Sequence, residues 1–165
     1  MVCDFQIDSH KLFKPKYRIK TMNLKTILLV EDNPMDIELT LEALSEHNLA
    51  NRVVVVTNGI EALDYLYCKG NYSERNSDNP VVVLLDIKMP LMDGKEVLKQ
   101  LKSEEKFKNL PVVMLTSSRE EPDLKLCYEL GANAYVVKPV DFKEFTDAIK
   151  HIGVFWALIN ETPNY

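Results

Sequence analysis

Five apolar runs recur along this chain, at residues 27–30 (ILLV), 53–56 (VVVV), 81–85 (VVVLL), 112–115 (VVML) and 134–137 (AYVV). None alternates apolar with polar residues. A strand that does not alternate is buried on both faces, which is the condition of a parallel sheet covered by helices on each side. An antiparallel sandwich would show alternation, and a helical bundle would not show isolated β-branched runs this short.

Helical patterns fill the intervals. Asn33-Pro34 reads as an N-cap followed by proline at the first helical position, and Ile37, Leu41 and Leu44 follow at helical spacing. Asn58-Gly59 leads into Ala62, Leu63 and Leu66, and Asp93-Gly94 into Val97, Leu98 and Leu101. A fourth helix runs through Leu124 and Tyr128 to Gly131, a C′ glycine. Residues 69–79 read as a long polar loop. Asp141 and Glu144 form a D-x-x-E start related to the capping box. Phe142, Phe145, Ile149, Ile152, Trp156 and Ile159 then make one stripe about 27 Å long at 1.5 Å per residue. Gly153 lies inside that stripe and weakens the expectation of an unbroken helix. Regular βα alternation predicts an α/β, doubly wound, five-stranded parallel sheet in a single domain.

At 165 residues there is room for one substantial core. The net charge of -5 opposes a nucleic-acid partner, since phosphate backbones demand a basic face. Charge is uneven: the first 25 residues hold Lys11, Lys14, Lys16, Arg18, Lys20 and Lys25 against Asp4 and Asp8. The expected organisation is a flexible basic extension over 1–23, a domain over 24–160 with an extended last helix, and a tail over 161–165. Cys3, Cys68 and Cys127 lack redox or metal-type spacing and read as free thiols of a reducing compartment. No secretory h-region is visible, and no apolar run approaches the ~20 residues of a membrane span. A cytoplasmic protein with no membrane partner is expected. His10, His47 and His151 sit in no constellation and are expected at the surface.

Polar groups cluster where the runs end. Glu31-Asp32 follows the first run, Asp86 the third, Thr116 the fourth and Lys138 the fifth. In an open parallel sheet the C-terminal edge is where ligands bind. Glu31, Asp32 and Asp86 together carry three negative charges, untenable at close range without a cation. Oxygen donors of that kind suit a hard divalent ion, with Mg²⁺ the expected cofactor. A carboxylate and a phosphoryl group are both anionic, so transfer between them depends on positioning and charge neutralisation. Lys138 would pair with one phosphoryl oxygen and Thr116 would donate to another.

These segments, from ILLVEDN at 27–33 through LLDIKMPLMDG at 84–94 and VVMLTS at 112–117 to YVVKP at 135–139, resemble the receiver domain of two-component response regulators. The resemblance spans roughly residues 23–152. It implies a flavodoxin-like receiver fold with strand order 2-1-3-4-5. It further implies Asp86 as phosphoacceptor, with Glu31, Asp32, Asp86 and the backbone carbonyl of Lys88 as Mg²⁺ ligands. Thr116 and Tyr135 would be the switch positions, and Lys138-Pro139 a cis peptide. Such a domain is not a turnover enzyme; it catalyses its own phosphorylation and slow dephosphorylation. Lys88, two residues beyond the acceptor, is expected to slow phosphate loss by pairing with the phosphoryl group and obstructing water. Small Ser117 leaves the site accessible.

The 69–79 loop and the FWALINETP segment at 155–163 resemble a subgroup of stand-alone receivers that partner phytochrome-type sensor histidine kinases, some as homodimers. A histidine phosphotransfer protein is a further partner of such domains. With no DNA-binding segment expected after the last helix, output would be protein contact or phosphorelay. Phe155, Trp156 and Ile159 either cover a homodimer interface or fold back on the domain. Two other functions compete. A phosphatase of the haloacid dehalogenase type needs a second aspartate two residues after the nucleophile, where Lys88 stands. A constitutive adaptor would keep three clustered carboxylates without compensation for their destabilising charge.

Overall fold

Residues 27–30 lose all contact with solvent, and they form an interior strand of the sheet. The computed structural model describes residues 26–160 apart from His47 and Ser118. The strands are β1 (Ile27–Val30), β2 (Val53–Val56), β3 (Val82–Asp86), β4 (Val112–Thr116) and β5 (Ala134–Val137). They form one parallel sheet in the order β2-β1-β3-β4-β5, the expected arrangement.

The helices are α1 (Pro34–Ser45), α2 (Gly59–Leu66), α3 (Gly94–Ser103), α4 (Glu121–Glu129) and α5 (Phe142–Val154). Asn33, Asn58, Asp93 and Asp141 each sit in extended conformation and accept a backbone N–H of the first turn, so four of the five starts are fixed by a side-chain cap. Gly131 takes φ +97° just beyond α4, the left-handed residue that ends a helix.

Each strand sends alternate residues to opposite faces. Leu28 and Val30 join Val83 and Leu85 in a cluster with Leu66, Val97, Leu98, Leu101 and Cys127, under α2, α3 and α4. Ile27 and Leu29 join Leu84 and Val113 in a second cluster with Ala43, Leu44, Phe145 and Ile149, under α1 and α5. Burying each of these large aliphatic side chains contributes about 1.5–3 kcal/mol, so both layers are needed to hold the sheet.

Four expectations are corrected. The buried face of α1 is Thr40, Ala43 and Leu44, while Ile37 and Leu41 are only half-buried; contact with α5 rotates the helix away from the apolar stripe. The 69–79 stretch is not a plain loop. It contains a 3₁₀ turn at Gly70–Tyr72, Tyr72 donates to Glu61 at 2.7 Å, and Arg75 stacks 4.0 Å from the Tyr65 ring centre. No cis peptide occurs among the described residues, so Lys138-Pro139 is trans, the form X–Pro bonds favour by about 0.5–1 kcal/mol. The α5 stripe does not continue as α-helix to Ile159; the chain widens into a π-helical turn at Phe155–Ile159.

Gly153 lies within α5, one residue before the α-helix gives way at Val154, in line with an interrupted stripe. A Cβ there would lie 2.3 Å from Leu44 Cδ2, so the residue lets α5 close on α1. In the π-helical turn Trp156 and Ala157 pack on the α1/α5 cluster, whereas Phe155, Leu158 and Ile159 face solvent. The segment thus folds back on the domain through Trp156 and Ala157, and leaves Phe155, Leu158 and Ile159 uncovered. Residues 1–23 and 161–165, together with His10, His47 and Cys3, lie outside the described residues; Cys127 is a buried free thiol and Cys68 a half-buried one. Among the described residues no helix is long and apolar enough to cross a membrane.

Candidate functional site

Register alone assembles the site. Val30 lies opposite Leu85, so Glu31 follows beside Asp86. Asp86 lies opposite Leu115, so Thr116 follows on the other side. Thr116 lies opposite Val137, and Lys138 comes next, its N–H bonded to the Thr116 carbonyl at 2.7 Å. Four strand ends thereby place their polar residues on one rim.

Oxygens of Glu31, Asp32 and Asp86 lie within 4.8 Å of one another. Glu31 and Asp86 are buried while Asp32 is exposed, so the cluster opens to solvent on the Asp32 side. All three donors are carboxylate oxygens, the set a hard divalent cation takes. Burial raises the Glu31 pKa, opposed by the bond and charge of Lys138. Burial likewise raises Asp86, opposed by Lys138 and by the Lys88 N–H. Adjacent anions held partly dehydrated are a site prepared for positive charge.

Lys138 supplies the resident cation. Its Nζ lies 2.5 Å from Glu31 Oε2, 2.8 Å from Asp36 Oδ2 and 2.9 Å from Asp86 Oδ1. Burial pulls its pKa down, but the three carboxylates outweigh that and hold it above the usual lysine value. The other oxygen of Asp86, Oδ2, accepts the Lys88 N–H at 2.8 Å. That bond turns the chain after β3, while the Lys88 side chain stands in solvent. Gly94 N–H donates to Ile87 O at 2.9 Å and closes the β3–α3 turn against the strand end.

Thr116 is buried and hydrogen-bonded to Tyr135, whose ring packs half-buried against the α2/α3/α4 cluster. Burial first, with nearby Cys127 and Asp123 adding to it, raises the Tyr135 pKa. Ser117 is exposed, as access to the site requires, and His151 is exposed far along α5. Every expected site side chain except that of Lys88 is therefore brought to the rim or to its immediate neighbour. The residue not anticipated is Asp36, in the first turn of α1. In the sequence it is one of several acids on that helix, with Glu38 and Glu42, and nothing in spacing sets it apart.

A five-stranded parallel sheet in this order, with carboxylates and a lysine at its C-terminal rim, defines a receiver-type fold. The family model of the response regulator receiver domain matches residues 27–150, and the chain belongs to that family. It is 36% identical over 132 residues to response regulator Rcp1 of Synechocystis, covering 80% of this chain and 88% of Rcp1. The Mn(2+)-bound form of Rcp1 superposes with a TM-score of 0.78. The phosphorylated cyanobacterial phytochrome response regulator RcpA matches with a TM-score of 0.79 at 38% identity, over 85% of this chain and 99% of that one. The bacteriophytochrome response regulator AtBRR is 59% identical, with a TM-score of 0.67, over 84% of this chain and 99% of its own. The chain is therefore a two-component receiver resembling the regulators that partner phytochromes.

Proposed function

We propose that this chain accepts a phosphoryl group from the phosphohistidine of a sensor histidine kinase onto Asp86, and signals through the face that responds. The observation that carries this reading is the convergence of Glu31, Asp32 and Asp86 within 4.8 Å around an ammonium 2.9 Å from the acceptor carboxylate. Glu31, Asp32, Asp86 and the Lys88 carbonyl would hold Mg²⁺, which supplies charge neutralisation when bound. An Asp86 oxygen forms the new P–O bond while the donor P–N bond breaks. The imidazole leaves with that electron pair and takes a proton from solvent. Lys138 holds a phosphoryl oxygen, and the Thr116 hydroxyl turns toward another, releasing its bond to Tyr135. Tyr135 thereby reports phosphorylation to β5 and its flanking helices.

Likeness to RcpA and AtBRR favours a phytochrome-type kinase as donor. Output is protein contact, onward transfer to a histidine phosphotransfer protein, or self-association through Phe155, Leu158 and Ile159. Turnover of phosphate esters is not expected, because Lys88 occupies the position an acid/base would need. The test is labelling with a small-molecule phosphodonor and Mg²⁺, read by intact mass. Wild type should gain one phosphate and Asp86→Asn none; full labelling of Asp86→Asn would remove Asp86 from the role.

A further inference from the structure

An ammonium group has three N–H donors and no more. Those of Lys138 are directed at Glu31 Oε2, Asp36 Oδ2 and Asp86 Oδ1, at 2.5, 2.8 and 2.9 Å. A phosphoryl oxygen can therefore reach this lysine only by replacing one of the three. Two of these carboxylates belong to the cluster suited to a cation, and the third does not: the group with converging ligand atoms is Glu31, Asp32 and Asp86. Once Glu31 turns to a cation and Asp86 becomes a mixed anhydride with phosphate, neither keeps the acceptor oxygen it gives Lys138 at rest. Asp36 keeps its own.

Asp36 is also well placed to do so. It projects from the first turn of α1, which Asn33 caps through the Met35 N–H at 2.9 Å. The same turn is tied to the site by the Asn33 N–H, which donates to Glu31 Oε1 at 3.1 Å. The Asp36 side chain retains about a quarter of its exposure, against 12% for that of Lys138. Its charge is thus partly solvated, while its oxygen is held at hydrogen-bond distance.

We infer that Asp36 is a positioning residue for phosphotransfer: from α1 it anchors the Lys138 ammonium beside Asp86 while the other two partners are engaged. This rests on the proposed phosphorylation of Asp86. It assigns to α1 a part in the chemistry beyond carrying the Asn33 cap.

The experiment uses the full chain and beryllofluoride with Mg²⁺, a phosphoryl mimic that needs no donor, in wild type, Asp36→Ala, Asp36→Asn and Asp86→Asn. Asp36→Ala removes the anchor and should weaken beryllofluoride affinity about tenfold, the scale of one hydrogen bond to a charged group. Asp36→Asn keeps an acceptor oxygen at the same place and should recover most of that loss. With a small-molecule phosphodonor, Asp36→Ala should lower the maximal rate of labelling and leave the half-saturating donor concentration nearly unchanged. Calorimetric titration with Mg²⁺ alone should show the two Asp36 variants equal to each other, since each removes one charge. Beryllofluoride affinity of Asp36→Ala within about twofold of wild type, a margin well inside one hydrogen bond, overturns the inference. So does an equal loss in Asp36→Asn, which would make charge rather than anchoring the cause. If wild type binds no more beryllofluoride than Asp86→Asn, the reading of the whole site fails and this inference with it, an outcome distinct from the other two.

Discussion

A Cβ added at Gly94 would lie 2.1 Å from the carbonyl oxygen of Asp86. The clash is with backbone, not with the flexible end of a side chain, so something in the frame must move. Gly94→Ala should push the start of α3 away from the β3 end and disturb the turn that orients Asp86. Overpacking of this kind costs about 1–3 kcal/mol. A lower urea midpoint with weaker Mg²⁺ binding is expected; unchanged values for both would show that the turn relaxes freely.

Gly153 and Leu44 make the corresponding contact on the other face of the sheet. Here the Cβ of Gly153→Ala would meet Leu44 Cδ2 at 2.3 Å, and Leu44 is fully buried with little room to turn. The steric cost is opposed by the better helix propensity of alanine, worth about 1 kcal/mol. Gly153→Ala alone should be destabilising, yet much less so in a Leu44→Ala background, where the space has been opened. The double-mutant cycle should give a coupling of about 1–2 kcal/mol. Additive urea midpoints would contradict the close helix contact.

Much of this was legible in the chain. The five apolar runs became the five strands because a run buried on both faces carries its signal locally, and the helix caps Asn33, Asn58, Asp93 and Asp141 are equally local devices. The rim residues were legible for the same reason, since each directly follows or ends a strand. What was missed depends on contacts between distant segments. Asp36 gains its meaning from Lys138, 102 residues away. Tyr72 and Arg75 order their loop only by finding Glu61 and Tyr65 on α2. The rotation of α1 that buries Thr40 rather than Leu41 is set by α5, whose close approach depends on a glycine that the helical pattern alone reads as a weakness.

Lys102 offers a pH-dependent test away from the site. Its Nζ donates to Leu110 O at 2.6 Å, Lys108 O at 3.1 Å and Asn133 Oδ1 at 3.3 Å. Burial pushes its pKa down to about 8 from the ordinary 10.5. Between those values the folded chain gives up this proton before the unfolded chain does, so the unfolded state binds more protons and stability rises with pH. Below about 8 the penalty for the buried charge is fully present. Comparing urea midpoints on the two sides of this window, wild type should gain stability relative to Lys102→Met as pH rises. An identical pH dependence in both proteins would refute the shift.

Lys88 bears on the lifetime of the phosphorylated state. Its backbone N–H is fixed on Asp86 Oδ2 at 2.8 Å, while its side chain is exposed and free to fold over the acceptor. A cation there would pair with the phosphoryl oxygens and stand in the path of water. Lys88→Asn should therefore lose phosphate several-fold faster, because general obstruction and charge pairing together are worth about 1 kcal/mol at a solvent-exposed site. The measurement is decay of the labelled protein after donor removal, in the presence of Mg²⁺. Decay no faster than wild type would assign the lifetime to groups other than Lys88.

The π-helical turn closing the structure supplies the last prediction. Phe155 is 47% exposed and Ile159 64%, and Leu158 accompanies them, while Trp156 and Ala157 turn inward to the domain. Phe155 meets Trp156 edge-to-face with ring centres 5.1 Å apart, so the outward ring is held by the inward one. An ordered apolar group facing water is a surface suited to a second copy of itself. Phe155→Ser with Ile159→Asp gives up the ring contact with Trp156 but no buried side chain, so folding should survive with a loss of about 1–2 kcal/mol. Light scattering should find wild type associating and the double variant running as one chain, with Asp86 labelling intact in both. If wild type has the mass of a single chain whether or not it is phosphorylated, this turn serves a different partner and self-association is not its output.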